Sequence, residues 1–114
     1  MQDKLGDKIR LQHILDAINE IETYTKEVTL EEFASNSMMF NATLRQLEII
    51  GEASNRLSNK LISDNDDVAW ARIIGLRNLV IHEYFGIDDI AIWNIIKINI
   101  PAFKTKVIEI EKKS

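Results

Sequence analysis

The 114-residue sequence predicts an all-α fold: an up-and-down bundle of four long helices and one short one, forming a single domain over residues 1–114. Three observations carry this prediction. Apolar residues recur with the 3.6-residue period of a helix along four long stretches, and no stretch alternates with the period of two that a strand requires. Helix breakers are few, with one proline and four glycines, and 46% apolar residues suffice for one modest core.

The first long helix places Leu11, Ile14, Leu15, Ile18, Ile21 and Val28 on one side, with Asp16, Glu20, Thr23 and Glu27 opposite. Thr29-Leu30-Glu31-Glu32 has the spacing of a capping box, so a short helix is expected over residues 30–35. The second long helix aligns Phe40, Leu44, Leu47, Ile50, Gly51, Ser54 and Leu57. Asn41, Arg45, Glu48, Glu52 and Arg56 lie on its other side, where Glu52 and Arg56 form a favourable i,i+4 pair. Gly51 lies within the apolar stripe, where a missing Cβ costs about 1 kcal/mol of helix propensity but lets another helix approach closely. It marks a helix crossing.

The polar cluster Ser63-Asp64-Asn65-Asp66-Asp67 reads as a loop between two helical halves. The third long helix is expected from Trp70 to about Phe85, and the fourth from about Asp89 to Lys112 with Asp88 as its cap. On the fourth, Ile92, Trp93, Ile96, Ile100, Phe103, Val107 and Ile110 share a face. Pro101 removes a backbone hydrogen bond and crowds the carbonyl four residues earlier, so a kink is expected between Lys97 and Pro101.

The absence of cysteine rules out disulfides and thiolate metal sites and fits a cytoplasmic protein. No leader or membrane span is visible. The net charge of −4 argues against broad binding of nucleic-acid phosphates, so any such contact must be local. His13, Asp16 and Glu20 share a polar helix face that reads as solvated, and neither a zinc pattern nor a glycine-rich phosphate loop is present. No metal and no cofactor is expected. Trp93 and Phe103 are spaced for packing rather than for stacking on bases.

The third helix holds an anomaly. On a helical wheel Trp70, Ile73, Ile74, Val80, Ile81 and Tyr84 form one apolar sector, and Arg77 falls in its middle. A guanidinium there must face a carboxylate, another subunit or an anionic ligand. From spacing alone, a structural ion pair with Glu48 or Glu52 is the favoured reading. The functional one is a histidine that moves a proton beside a fixed cation that stabilises phosphate charge. His82 projects roughly 140° from Arg77 on a regular helix, whereas Tyr84 returns to nearly the same face as Arg77. One straight helix therefore cannot aim Arg77 and His82 at one small group; a distorted helix or two cooperating chains can.

Arg77-Asn78-x-x-x-His82 resembles the Arg-x-x-x-x-His signature of the HEPN superfamily, and His82-x-Tyr84 resembles its HepT-like branch of toxins. Leu47-Glu48-Ile49-Ile50-Gly51-Glu52-Ala53 and Trp70-x-x-Ile73-x-Gly75-Leu76-Arg77-Asn78 are similar to the same branch, so the likeness spans essentially the whole chain. Ala69 departs from it, standing where similar sequences place a proline. The resemblance implies the toxin of a type VII toxin–antitoxin system, a homodimer whose shared cleft carries the motifs of both copies, with scope for a higher hetero-oligomer with the antitoxin. It implies metal-independent RNA cleavage by Arg77, Asn78 and His82. It also implies that a minimal nucleotidyltransferase antitoxin of the MntA type uses ATP to place AMP on Tyr84. The acidic net charge keeps open an alternative, a non-catalytic nucleotide- or substrate-binding subunit of a nucleotidyltransferase complex.

Overall fold

A computed structural model describes residues 4–79 and 88–113. Every regular element among them is helical, as the periodicity predicts. Helix α1 (Lys4–Thr25) buries Leu11, Ile14, Ile18 and Ile21 completely or nearly so, and ends before Glu27, whose φ of 57° turns the chain. Val28 packs against the core from beyond that turn.

Helix α2 (Leu30–Ser35) begins with both halves of the predicted capping box: the Glu32 N–H donates to Thr29 Oγ1 (3.1 Å) and the Thr29 N–H to Glu32 Oε1 (2.9 Å). Asn36 caps helix α3 (Ser37–Asn55) by accepting from the Met39 N–H. Helices α1 and α3 run antiparallel. Ser58, beyond the end of α3, donates through its N–H (2.8 Å) and hydroxyl (2.6 Å) to the buried carboxylate of Asp7 at the start of α1, and Gln46 donates to Tyr24 near the other end.

Helix α4 (Asn59–Asp64), capped by the Ser58 hydroxyl, is absent from the sequence reading, which has a loop beginning at Ser63. It fully buries none of its residues, resting only Leu61 and Ile62 against the core, and so leaves no long apolar stripe to read. Helix α5 (Trp70–Gly75) starts at Ala69 with no side-chain cap, and the Trp70 indole N–H anchors it by donating to the Asn65 carbonyl.

The single helix predicted from Trp70 to about Phe85 is corrected in its first half, where α5 gives way at Leu76–Asn78 to a 3₁₀ turn; its second half, from residue 80, lies outside the described residues. The expected fourth helix is also interrupted. Helix α6 (Asp89–Asn94), capped by Asp88, passes through a π turn at Ile95–Asn99 into helix α7 (Ile100–Lys113). The π turn lies immediately before Pro101, where the missing N–H and the ring's clash with the preceding turn are relieved by widening the helix.

The core joins α1 and α3 to α7 through Ile14, Ile18, Leu47, Ile50, Ile100 and Val107. Phe33 packs against Trp93 (5.2 Å between centroids), and Trp70 meets Phe103 edge-on (5.8 Å, 88°), so Trp93 and Phe103 pack as their spacing predicts. Two ion pairs tie α7 to the rest: Lys104 to Glu22 at 2.9 Å and Lys106 to Asp67 at 2.6 Å. Among the described residues no helix is long and apolar enough to cross a membrane.

Candidate functional site

The site is built on the crossing of α3 with the end of α5. A Cβ placed at Gly51 would collide with the backbone nitrogen of Arg77 and would lie 3.0 Å from the carbonyl oxygens of Ile73 and Ile74. These are backbone atoms, which cannot swing aside as a flexible side chain would. The two helices therefore touch backbone to backbone at Gly51, as its place in the stripe predicts, and the contact fixes where the Arg77 backbone lies.

Arg77 itself is not embedded in an apolar sector, which corrects the wheel. Burial runs through Trp70, Ile73 and Leu76, an i, i+3, i+6 line, while Ile74 is only partly buried. A 3₁₀ turn advances about 120° per residue rather than about 100°, so overwinding at Leu76–Asn78 brings Leu76 inward and carries Arg77 to the edge. The Arg77 side chain is 39% exposed, and its guanidinium lies 3.8 Å from Glu52 Oε1. That is one of the two ion-pair partners expected from the spacing. Exposed pairs of this kind hold a side chain's position while contributing about 0–1 kcal/mol of stability. Asn78 follows in the same turn and is exposed. His82 and Tyr84 lie outside the described residues.

Arg77 stands on the rim of a cleft of about 550 Å³ between α1 and α3. From α1 the lining includes Gly6, Ile9, Arg10 and His13; from α3 it includes Arg45, Glu48, Ile49, Glu52 and Ala53, with Arg56 at its C-terminal end. Glu52 lies between two guanidinium groups, Arg56 at 3.2 Å and Arg77 at 3.8 Å, and Glu48 pairs with Arg45 at 3.7 Å. Glu48 is less solvated than its polar helix face suggests, with a side chain only 16% exposed.

Sequence reasoning did not single out Arg10, Arg45 or Arg56 as site residues, and assigned His13 to a solvated face. On separate helices they are ordinary polar-face residues, and only the pairing of α1 with α3 assembles them. The available signal was the i, i+3, i+4 repetition of charge at Arg45, Glu48, Glu52 and Arg56 on the helix that also carries Gly51. Among the described residues no group of three or more His, Asp or Glu side chains is placed to hold a metal ion.

A family profile described as "Ribonuclease HepT-like" matches residues 14–110. A protein of Methanocaldococcus jannaschii named as a candidate RNase is 42% identical over 100 residues, covering 88% of this chain and 92% of its own. A Thermococcus cleftensis protein named as a candidate ribonuclease HepT is 35% identical over 109 residues, 96% of this chain and 99% of its own. A candidate RNase of Caldanaerobacter subterraneus is 36% identical over 103 residues, 90% of this chain and 92% of its own. No solved structure matches the chain significantly.

Proposed function

The chain belongs to the HepT-like ribonuclease family, and from that premise we propose that it is the toxin of a type VII toxin–antitoxin system, an RNA endonuclease that works without a metal. The observation that carries the reading is the placing of Arg77. Its backbone is pinned against Gly51, its guanidinium is tethered to Glu52, and its side chain opens onto a cleft instead of the core.

In this reading His82 takes the proton of a ribose 2′-hydroxyl as that oxygen attacks the adjacent phosphorus. The bond to the 5′-oxygen breaks, that oxygen leaves with a proton from solvent, and a 2′,3′-cyclic phosphate remains. Arg77 stabilises the charge that builds on the phosphoryl oxygens, and Asn78 orients the phosphate or the imidazole. Two copies of the chain contribute their motifs to one site, as the family resemblance implies. Control is by AMP. A nucleotidyltransferase antitoxin joins the Tyr84 oxygen to the α-phosphorus of ATP with loss of pyrophosphate, and the new anion competes with an RNA phosphate for the site.

Expression of the chain alone tests the reading. Growth arrest by the wild type, relieved by Arg77→Ala or by His82→Ala, is expected; equal growth of all three strains refutes it. Mass spectrometry after incubation with the antitoxin and ATP is expected to find AMP on Tyr84, and modification that persists in Tyr84→Phe places it elsewhere.

A further inference from the structure

We propose that the cleft between α1 and α3 binds the sugar–phosphate backbone of RNA flanking the cleaved bond, with Arg10, His13, Arg45 and Arg56 as its phosphate-contacting side chains. The ribonuclease reading supplies the identity of the ligand, and the cleft supplies the rest. Its lining brings four arginines and a histidine together against two glutamates, in a chain whose net charge is −4. This is the local cation surplus that an acidic protein needs to hold a polyanion.

The cations are arginines, not lysines, and a planar guanidinium grips phosphate oxygens through two donors at once. Both glutamates are already paired with arginines, and each guanidinium carries five donors, so these ion pairs leave donors over for a phosphate. Arg45 and Arg56 have side chains 71% and 62% exposed, so neither is committed to packing.

The dimensions suit a strand. Arg45 and Arg56 are separated by eleven residues of rise, roughly 16 Å, over which a stacked strand at about 3.4 Å per nucleotide presents several phosphates. Ile9, Ile49 and Ala53 provide apolar surface for riboses and bases between the cations, and Arg77, one of the proposed cleaving residues, itself lines the cleft.

Fluorescence anisotropy with a 2′-O-methyl oligoribonucleotide, which cannot form the cyclic phosphate, reads binding without cleavage. Arg10→Gln, Arg45→Gln and Arg56→Gln should each weaken binding and each lower the slope of log affinity against log salt by about 0.7. The triple variant should lose binding while keeping its helical circular dichroism. Lys112→Gln, the same charge change on α7, should bind as the wild type does. On cleavable RNA the single variants should raise KM and leave kcat at saturation largely intact.

Wild-type affinity and salt slope in the triple variant overturn the proposal. So does loss of self-association or of antitoxin binding in the variants with RNA binding unchanged, which makes the cleft a protein interface. Binding that depends on these arginines in a chain that never cuts RNA upholds the cleft and refutes the nuclease reading. Cleavage with unaltered KM in the triple variant refutes the cleft alone.

Discussion

Adding one methyl group at Gly51 probes how Arg77 is held. In an exposed helix Gly→Ala gains about 1 kcal/mol of propensity. Here the new carbon meets the Arg77 nitrogen and two carbonyl oxygens, and forcing packed backbones apart costs about 1–3 kcal/mol. The clash wins because no side chain can yield. Gly51→Ala should therefore lower stability in urea unfolding and move Arg77 enough to impair RNA cleavage; a variant at least as stable as the wild type contradicts the backbone contact. Gly51 was legible in the sequence because a glycine inside an apolar stripe incurs a cost that only a close crossing offsets. The surroundings of Arg77 were less so. The wheel assumes about 100° per residue throughout, and the 3₁₀ turn at Leu76–Asn78 breaks that assumption at the residue of interest.

At the scale of elements, the helices that bury a stripe were legible and those that do not were missed. Helices α1, α2 and α3 lie close to where periodicity and the Thr29 capping box put them. The six-residue α4 buries no residue fully, resting only Leu61 and Ile62 against the core, and is tied down by Ser58, whose hydroxyl caps it while the same residue is gripped by Asp7 from α1. That contact spans 51 positions and leaves no local signal in the sequence. A hydrogen bond to a charged group contributes about 1.5–3 kcal/mol, so Asp7→Ala should cost about 2–3 kcal/mol, measured by denaturant unfolding. Loss of well under 1 kcal/mol would show that water replaces the carboxylate. Pro101 was read as a kink between Lys97 and Pro101, and the interruption appears there as a π turn at Ile95–Asn99.

At the scale of the molecule, assembly creates both the core and the cleft. The polar face of α1 reads as solvated when taken singly and that of α3 offers only Glu48 and Glu52 as partners for Arg77; the cleft forms where the two helices run antiparallel side by side. A second long-range tie closes α7 onto the segment before α5. The hydrogen bond from Lys106 holds the Asp67 carboxyl below its ordinary pKa and, reciprocally, raises that of Lys106. A depressed carboxyl contributes stability above its unfolded pKa and loses it as pH falls through the folded one. A raised amine contributes below its unfolded pKa and loses it as pH rises through the folded one. The melting-temperature gap between wild type and Lys106→Gln should thus be widest between the two transitions and shrink in acid as Asp67 is protonated; a gap that grows on acidification reverses the assigned sign.

The proposed ribonuclease site joins these scales, from a glycine that fixes one arginine to a cleft that receives a strand. Purified chain incubated with single-stranded RNA in excess EDTA tests it most directly. The wild type should leave fragments ending in 2′,3′-cyclic phosphate, and His82→Ala should slow cleavage by about 10²–10⁴-fold, with Arg77→Ala similarly impaired. Intact RNA with the wild type, or equal cleavage by the folded variants, contradicts it.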